Sequence, residues 1–395
     1  MNAGQHTNPA ILIPVYNHAA TLADVVRRSL AHGLPVIVVD DGSTDGSTAN
    51  LEEHIGDSGL HVVRLPRNRG KGAALRAGAE YARTLGVSHI ISVDADGQHF
   101  PEDIPLFLRA VAAEPRAIVV GARDFSVLNV PKASRFGRVF SGFWMRVQTG
   151  LCVSDMQSGF RAYPLEVFSV VQTGENAYAF EVEVLVRAAW AGFAITEVPV
   201  RVHYPAEGER ISHFRTLGDN VQISLLNIRL TLRALVPMPF VRVANAERIS
   251  LRRPFASLRL LLCEATPRSL GRSAGVSMFL STLPLPGLQT ILLLLAIGKY
   301  RLNRCCALAV IPLSWPPVVP GLGVLAGYRV RQGEWLTEFS LQTLGYEAPQ
   351  RLLDWVVGAF FLAPVLGAML GCAVWLASSL LFRGMVGEWR KIHDN

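Results

Sequence analysis

Cysteine is scarce. The five present (Cys152, Cys263, Cys305, Cys306, Cys372) form no C-x-x-C pair and no metal-ligand spacing. That excludes a disulfide framework and a cysteine-based zinc site, and leaves small buried hydrophobes in a reducing compartment. Charge is sparse too: 17% of the 395 residues are charged against 50% hydrophobic, an apolar balance for a soluble protein. Acidic residues are thinnest in the second half. Residues 1–220 carry 20 Lys+Arg and 23 Asp+Glu, a net of −3, whereas 221–395 carry 18 against 8, a net of +10. The basic excess lies beside long apolar runs, with no nucleic-acid module and no interleaving of aromatic and basic residues. This excludes nucleic acid as the partner and points to a membrane surface. The N-terminus, "MNAGQHTNPA", lacks the basic and apolar regions of a signal peptide, which predicts a first domain on the cytoplasmic side.

What is present divides the chain into three. Short β-branched runs alternate with amphipathic stretches over the first 125 residues: "AILIPV" (10–15), "PVIVVD" (35–40), "HVVRL" (61–65), "HIISVD" (89–94) and "AIVVGA" (117–122). Helix patterns between them stop at Gly33 and Gly86, and a third stops at Gly192 before another strand. Strands this uniformly apolar are buried on both faces. They predict an α/β fold, a mostly parallel sheet with helices on both faces, over 1–220. Residues 126–165 read as helix plus loop. Residues 221–272 form a basic amphipathic juxtamembrane linker with nine arginines against Glu247 and Glu264. Residues 273–395 form a helical membrane domain with about three apolar segments, roughly 275–298, 305–328 and 355–382. Each is near or above the ~20 residues that span a bilayer. Proline breaks at "PLPG" (284–287), "SWPPVVPG" (314–321) and "APVLG" (363–367) predict kinked or re-entrant helices rather than simple spans.

Polar residues gather just past the strands. "VDADGQHFPED" (93–103) ends a buried run in Asp94 and Asp96, followed by Gln98. Buried carboxylates need compensation. A hard divalent cation, Mg²⁺ or Mn²⁺, held on oxygen ligands and shared with substrate phosphates, would supply it. "IPVYN" (13–17) and "VVDDGSTDGS" (38–47) end the first two strands. A carboxylate such as Asp41 can there accept hydrogen bonds from a nucleotide. "RNRGKGAALRAG" (67–78) opens a helix with glycines and Lys71, which can face a diphosphate.

IPVYN, VDDGSTDGS, NRGKGAAL and DADGQH, in this order, resemble family-2 glycosyltransferases of the Rossmann-like GT-A fold. "DMQSGFRAY" (155–163) resembles the D-x-x-S-G-F-R element of the polyprenyl- and dolichyl-phosphate sugar synthase branch. The resemblance covers about residues 8–235. It implies an inverting transfer of a sugar from a nucleotide diphosphate donor to a lipid-linked acceptor, polyprenyl phosphate. By the same resemblance Pro14, Tyr16 and Asp41 hold the nucleoside, and Asp94, Ala95 and Asp96 line the donor site. Asp96 and Gln98, with Asp94 nearby, hold the metal. Arg123 lies near the sugar phosphate, and Arg210 or Arg215, in "HYPAEGERISHFR" (203–215), closes on the donor. His18 stands where mannose synthases carry glutamate, which leaves UDP-sugars open beside guanine-mannose donors.

A lipid phosphate is already deprotonated at neutral pH, so its transfer needs positive charge more than a base. By the resemblance, Arg161, Arg123 and the arginines at 210–215 supply that charge and Ser158 a hydrogen bond, while Asp155 orients Arg161 or acts as a base. "PLPGLQTILLLLAIGKYRLNR" (284–304) resembles a small bacterial membrane-domain family that also occurs fused to glycosyltransferases, over roughly 250–385. "SWPP" (314–317) departs from that family's Asn-Pro. The resemblance implies a cell-membrane location, the inner membrane in a bacterium, with membrane lipids as neighbours.

The main alternative is a glycosyltransferase acting on a hydroxyl of another lipid or of a cell-envelope glycan. A processive polysaccharide synthase would carry Q-x-x-R-W, which is absent. A nucleotidyltransferase would transfer nucleotide instead of sugar. A membrane scaffold would have no use for Asp94 and Asp96.

Overall fold

A computed structural model describes residues 7–49, 51, 59–123, 132–176, 179–203, 216–235, 265–314, 318–337 and 347–393. The chain divides into two compact units. The first is Met1–Thr231 with Phe240–Ala246, and the second is Leu232–Pro239 with Glu247–Asn395.

The first unit is built on seven strands in the order β3-β2-β1-β4-β6-β5-β7. The strands are β1 (Pro9–Val15), β2 (Val36–Asp40), β3 (Leu60–Arg64), β4 (His89–Ser92), β5 (Ile118–Arg123), β6 (Arg161–Pro164) and β7 (Ile195–Val200). All pairings are parallel except those of β6, which runs antiparallel between β4 and β5. Five strands fall where the apolar runs predict them. The strand β6 lies in a stretch that reads as helix plus loop, because only four residues, "RAYP", form it.

Helices cover both faces. On one, Ile11, Ile13, Val36, Val38 and Ile91 pack against α1 (Leu22–Leu30) and α3 (Ile104–Ala113) through Leu22, Val25, Ile104 and Phe107. On the other, α2 (Lys71–Thr84) lies so close that a Cβ on Gly78 would overlap Leu12 and meet Val39 Cγ2 at 2.9 Å. The remaining helices of this unit are α4 (Lys132–Thr149), α5 (Glu166–Val170), α6 (Ala179–Ala191) and α7 (Thr216–Leu235), whose last residues pass into the second unit.

The strand order explains where a ligand can go. From β1 the chain steps outward to β2 and β3, then returns to β4 on the other flank of β1. The carboxyl ends of β1 and β4 therefore flank a topological switch point, where open α/β sheets bind ligands. Because β6 is antiparallel and Arg161 stands opposite Ser92, the residues just before β6, 155–160, also lie at the carboxyl ends of β4 and β5.

The second unit is helical. The first apolar segment divides into α8 (Pro267–Thr282) and α9 (Leu288–Tyr300), broken at the predicted "PLPG". The second divides into α10 (Arg304–Val310), which runs into a short 3-10 turn, and α11 (Val318–Gln332). The third differs from expectation: α12 (Ala348–His393) continues through Pro364. Its stretch Ala348–Leu380 is 33 residues long, about 50 Å at 1.5 Å per residue, enough to cross a bilayer core of about 30 Å. Only 22% of its most apolar window is buried within the protein. Glycines bring backbones together here as they do between membrane helices. A Cβ on Gly275 of α8 would lie 2.9 Å from the Gly367 carbonyl of α12, and one on Gly327 of α11 would overlap the Asp354 carbonyl. Of the predicted basic linker, 221–235 belongs to α7, 236–264 falls outside the described residues, and α8 begins at Pro267.

Candidate active site

The loops after β1 and β2 are knitted together by their own polar side chains. Asp40 Oδ1 accepts from Ser43 N at 2.8 Å and its Oδ2 from Thr48 Oγ1 at 3.0 Å, closing the DGSTDGS turn. Asn17, at φ 55°, accepts from Thr44 N at 2.8 Å, while Ser43 Oγ accepts from Asn17 N. Asp41 is 3% exposed and accepts from Arg69 N (2.8 Å) and Gly70 N (2.7 Å). Burial raises its pKa, partly offset by these backbone donors. The sequence assigns Asp41 to a nucleoside. In the structure it also fixes the glycine-rich entry to α2, which aims Lys71. Pro14, half-buried, is the penultimate residue of β1, and Tyr16 follows the strand into the loop.

The end of β4 carries the charge. Asp94 Oδ1 is 2.5 Å from Lys71 Nζ, and Lys71 is also 2.6 Å from Glu181 Oε1. Burial alone would lower the lysine pKa, but the two carboxylates overcome it and raise it. Burial would likewise raise the Asp94 carboxyl, and Lys71 holds it below the usual range. Among the described residues Asp96 has no such cationic partner in contact. Its Oδ1 accepts from Gln98 N at 2.9 Å. Burial first, then the negative charge of Asp94, pushes it up to about 6. His99 Nε2 is 3.8 Å from Asp94, and burial brings its pKa down to about 4, so the imidazole is neutral. The Ala95 carbonyl accepts from Thr21 Oγ1 at 2.6 Å, which pins the turn to the start of α1. Gln98 O accepts from His203 N at 2.8 Å, tying this turn to the segment that leads into 204–215. The antiparallel bridge between His99 and Val202 lies beside that hydrogen bond and doubles the tie. Arg210 and Arg215 themselves fall outside the described residues.

The segment before β6 closes the crevice. Asp155 has no exposure and is gripped by Arg123, with Nε at 2.6 Å from Oδ2 and Nη2 at 2.9 Å from Oδ1. Burial would raise the Asp155 carboxyl, and the Arg123 pairing outweighs it and lowers it. The expected pairing of Asp155 with Arg161 is therefore replaced by one with Arg123, because β5 ends beside this segment. Arg161 is wholly buried. Its Nη1 donates to Glu181 O (2.8 Å) and Tyr163 OH (3.2 Å), and its Nη2 to Met156 O (2.7 Å). In this structure those donors face protein groups, not an incoming anion. Ser158 is also fully buried, and its hydroxyl has no hydrogen-bond partner among the described residues.

The sequence does not single out three further residues of the site. Gly159 lies directly against the Lys71–Asp94 pair, since a Cβ there would push the ends of both side chains aside. Glu181 is an acid within the apolar "AFEVEVLV" of α6, 4% exposed. Arg138 of α4 donates Nε to the Ser154 carbonyl, adjoining Asp155. The acid in an apolar helix is the signal that could have found Glu181.

Asp94 and Asp96 offer carboxylate oxygens on one turn, the ligand type that a hard divalent cation takes. Among the described residues no three His, Cys, Asp or Glu side chains form a ready-made cation site. A buried carboxyl raised to about 6 with one backbone donor is what a cation would return to its ionised form.

Residues 10–167 match glycosyl transferase family 2. Residues 253–392 match a family described as an uncharacterized protein conserved in bacteria, DUF2062. The chain is 32% identical over 201 residues to a polyprenol monophosphomannose synthase of Mycolicibacterium smegmatis, covering 48% of this chain and 75% of that protein. It is 30% identical over 199 residues to an undecaprenyl-phosphate mannosyltransferase of Micrococcus luteus, covering 48% and 81%. It is 28% identical over 215 residues to a UDP-N-acetylglucosamine–dolichyl-phosphate N-acetylglucosaminyltransferase of Methanococcus voltae, covering 49% and 85%. The chain is a glycosyltransferase that belongs to glycosyl transferase family 2, in its polyprenyl-phosphate sugar synthase-like branch, with a DUF2062 domain following the transferase domain.

Proposed function

We propose that the protein is a membrane-bound inverting glycosyltransferase that moves a sugar from a nucleotide diphosphate donor to polyprenyl phosphate. The observation that carries the acceptor class is the state of Asp155. Both its oxygens are held by Arg123 and its pKa is lowered. It is thus a poor base, which suits a nucleophile that carries no proton to remove. The relatives named above act on polyprenol- or dolichyl-phosphate by their names.

In this reading a lipid phosphate oxygen attacks the anomeric carbon from the face opposite the nucleotide. The bond from that carbon to the β-phosphate oxygen breaks, and the nucleoside diphosphate departs with the electron pair. A divalent cation held by Asp96 and Gln98, with Asp94 beside it, would neutralise the diphosphate when bound. Lys71 adds a fixed positive charge at the start of α2, where the helix dipole also favours an anion. Arg123 keeps Asp155 ionised, and Ser158 offers a hydrogen bond to the acceptor or donor. The loop 204–215, through Arg210 or Arg215, closes on the donor.

Membrane attachment is supported by α12 and by α7. Val221, Leu225, Ile228 and Leu232 lie at helical spacing on α7, and each is more than half exposed. Such a stripe suits the interface of a bilayer. Arginines nearby would add ~1 kcal/mol each on anionic headgroups.

The test is incubation of the purified full chain with membrane lipid extract and a panel of labelled nucleotide sugars. One donor should pass label into the organic phase, and chelator or Asp96→Asn should abolish it. Unchanged transfer in excess chelator would rule out the cation role, and no transfer from any donor would count against the function.

A further inference from the structure

Lys71 and the groups around it form a chain of contacts that reaches from β6 to the end of β4. Arg161 of β6 donates to the Glu181 carbonyl at 2.8 Å. The Glu181 carboxylate accepts from Lys71 at 2.6 Å. Lys71 in turn meets Asp94 at 2.5 Å. The packing around this chain is close. Gly72 N donates to Asn176 O at 2.7 Å, and a Cβ on Gly72 would lie 2.6 Å from Phe180 Cγ, so the first turns of α2 and α6 touch. Gly159 closes the other side of the Lys71 ammonium. Lys71 and Glu181 are 110 residues apart in sequence, and the motif in which Lys71 sits says nothing of its partner.

Charge gives the arrangement a consequence. Lys71 contributes +1, and Asp94, Asp96 and Glu181 contribute −1 each when ionised, so these four groups sum to −2. His99 is neutral and Arg123 cancels Asp155. Arg161 is buried behind Glu181 on its backbone carbonyl, and its charge is the same whatever stands at 181. Were the Glu181 carboxylate absent, Lys71 would neutralise Asp94 outright and the four-group sum would fall to −1. We infer that Glu181 is a positioning residue that holds Lys71 off full possession of Asp94 and keeps the crevice one unit more negative, so that it takes a divalent cation. Arg161 supports this through the Glu181 backbone. The inference rests on the cation reading under the proposed function, and its readout is cation binding, not turnover.

Mn²⁺ binding to the detergent-solubilised full chain, without donor, can be followed by electron paramagnetic resonance. Glu181→Gln should weaken Mn²⁺ binding about tenfold, and Glu181→Asp, which keeps the charge on a shorter arm, should weaken it less. Lys71→Met should strengthen it. The double variant Glu181→Gln/Lys71→Met restores the sum to −2 and should return binding close to wild type. It also leaves no unpaired ammonium beside Asp94, so it serves where Glu181→Gln alone does not fold. Mn²⁺ binding lost in Asp96→Asn but unchanged in Glu181→Gln would overturn the positioning role and leave the cation reading standing. No Mn²⁺ binding by the wild type would overturn both.

Discussion

Replacing Arg123 by alanine should strip Asp155 of its counter-ion. Asp155 is wholly buried, and Arg123 supplies two side-chain bonds at 2.6 and 2.9 Å. The backbone donors that persist are longer: Arg123 N and Gln157 N, each at 3.3 Å. Breaking a buried pair from one side costs about 3–5 kcal/mol, since the other charge is left uncompensated. For a unit of this size each kcal/mol lowers the thermal midpoint by about 2–4 °C, giving a fall of about 6–20 °C in all. The pH dependence follows from the direction of the shifts. In the wild type the Asp155 carboxyl is lowered, so its stabilisation is present above the unfolded Asp value and is lost as pH falls through the folded one. Without Arg123 burial dominates and raises it, so the variant loses stability as pH rises from the unfolded value to the new folded one. The gap between wild type and Arg123→Ala should therefore narrow on acidification. Arg123→Met/Asp155→Asn, which removes both charges, should be more stable than Arg123→Ala alone. Thermal melts of the full chain in detergent, from about pH 4 to 8, measure this. A midpoint for Arg123→Ala within about 2 °C of wild type at neutral pH, with no narrowing in acid, would refute the reasoning.

Two further perturbations probe the donor side. Asp96 titrates at about 6, above its unfolded value, so its ionisation removes stability as pH rises from about 4 to 6. Wild type should lose stability over that window relative to Asp96→Asn in matched melts, and added Mn²⁺ should reverse the loss only in the wild type. Gly159→Ala puts a methyl group where Lys71 and Asp94 meet. It should cost about 1–3 kcal/mol in stability and lower kcat by at least about tenfold through misplacement of both groups, as measured with the identified donor.

The sheet was legible because its strands are short, apolar and followed by glycine-bounded helices, a pattern local enough to read residue by residue. The strand β6 was not legible. Arg161 begins it, and a charged residue that ends up fully buried looks in sequence like a surface or ligand-binding one. Burial of that arginine depends on three acceptors, Met156 O, Glu181 O and Tyr163 OH, that only the folded chain brings together. The same holds for Asp155, whose partner Arg123 lies 32 residues earlier on a neighbouring strand. Asp94, Asp96 and Lys71 could be named from their motifs, whereas Glu181 sits in no motif, only stands out as an acid in an apolar helix, and meets Lys71 across 110 residues of sequence. In the helical unit the proline breaks mark the first two divisions correctly. Pro364 does not break α12, because a proline inside a long helix removes one hydrogen bond and the neighbouring turns carry on.

The central claim is that the nucleophile is a lipid phosphate, and a comparison of two acceptors tests it most directly. Purified full chain would be given the active labelled nucleotide sugar with polyprenyl phosphate or with the corresponding polyprenol, and each product treated with mild acid. Transfer to polyprenyl phosphate alone is expected, with an acid-labile product and only a mild loss in Asp155→Asn. Transfer to the free alcohol, an acid-stable product and a loss of ~10²–10⁴-fold in Asp155→Asn would contradict it, because a hydroxyl nucleophile needs a base.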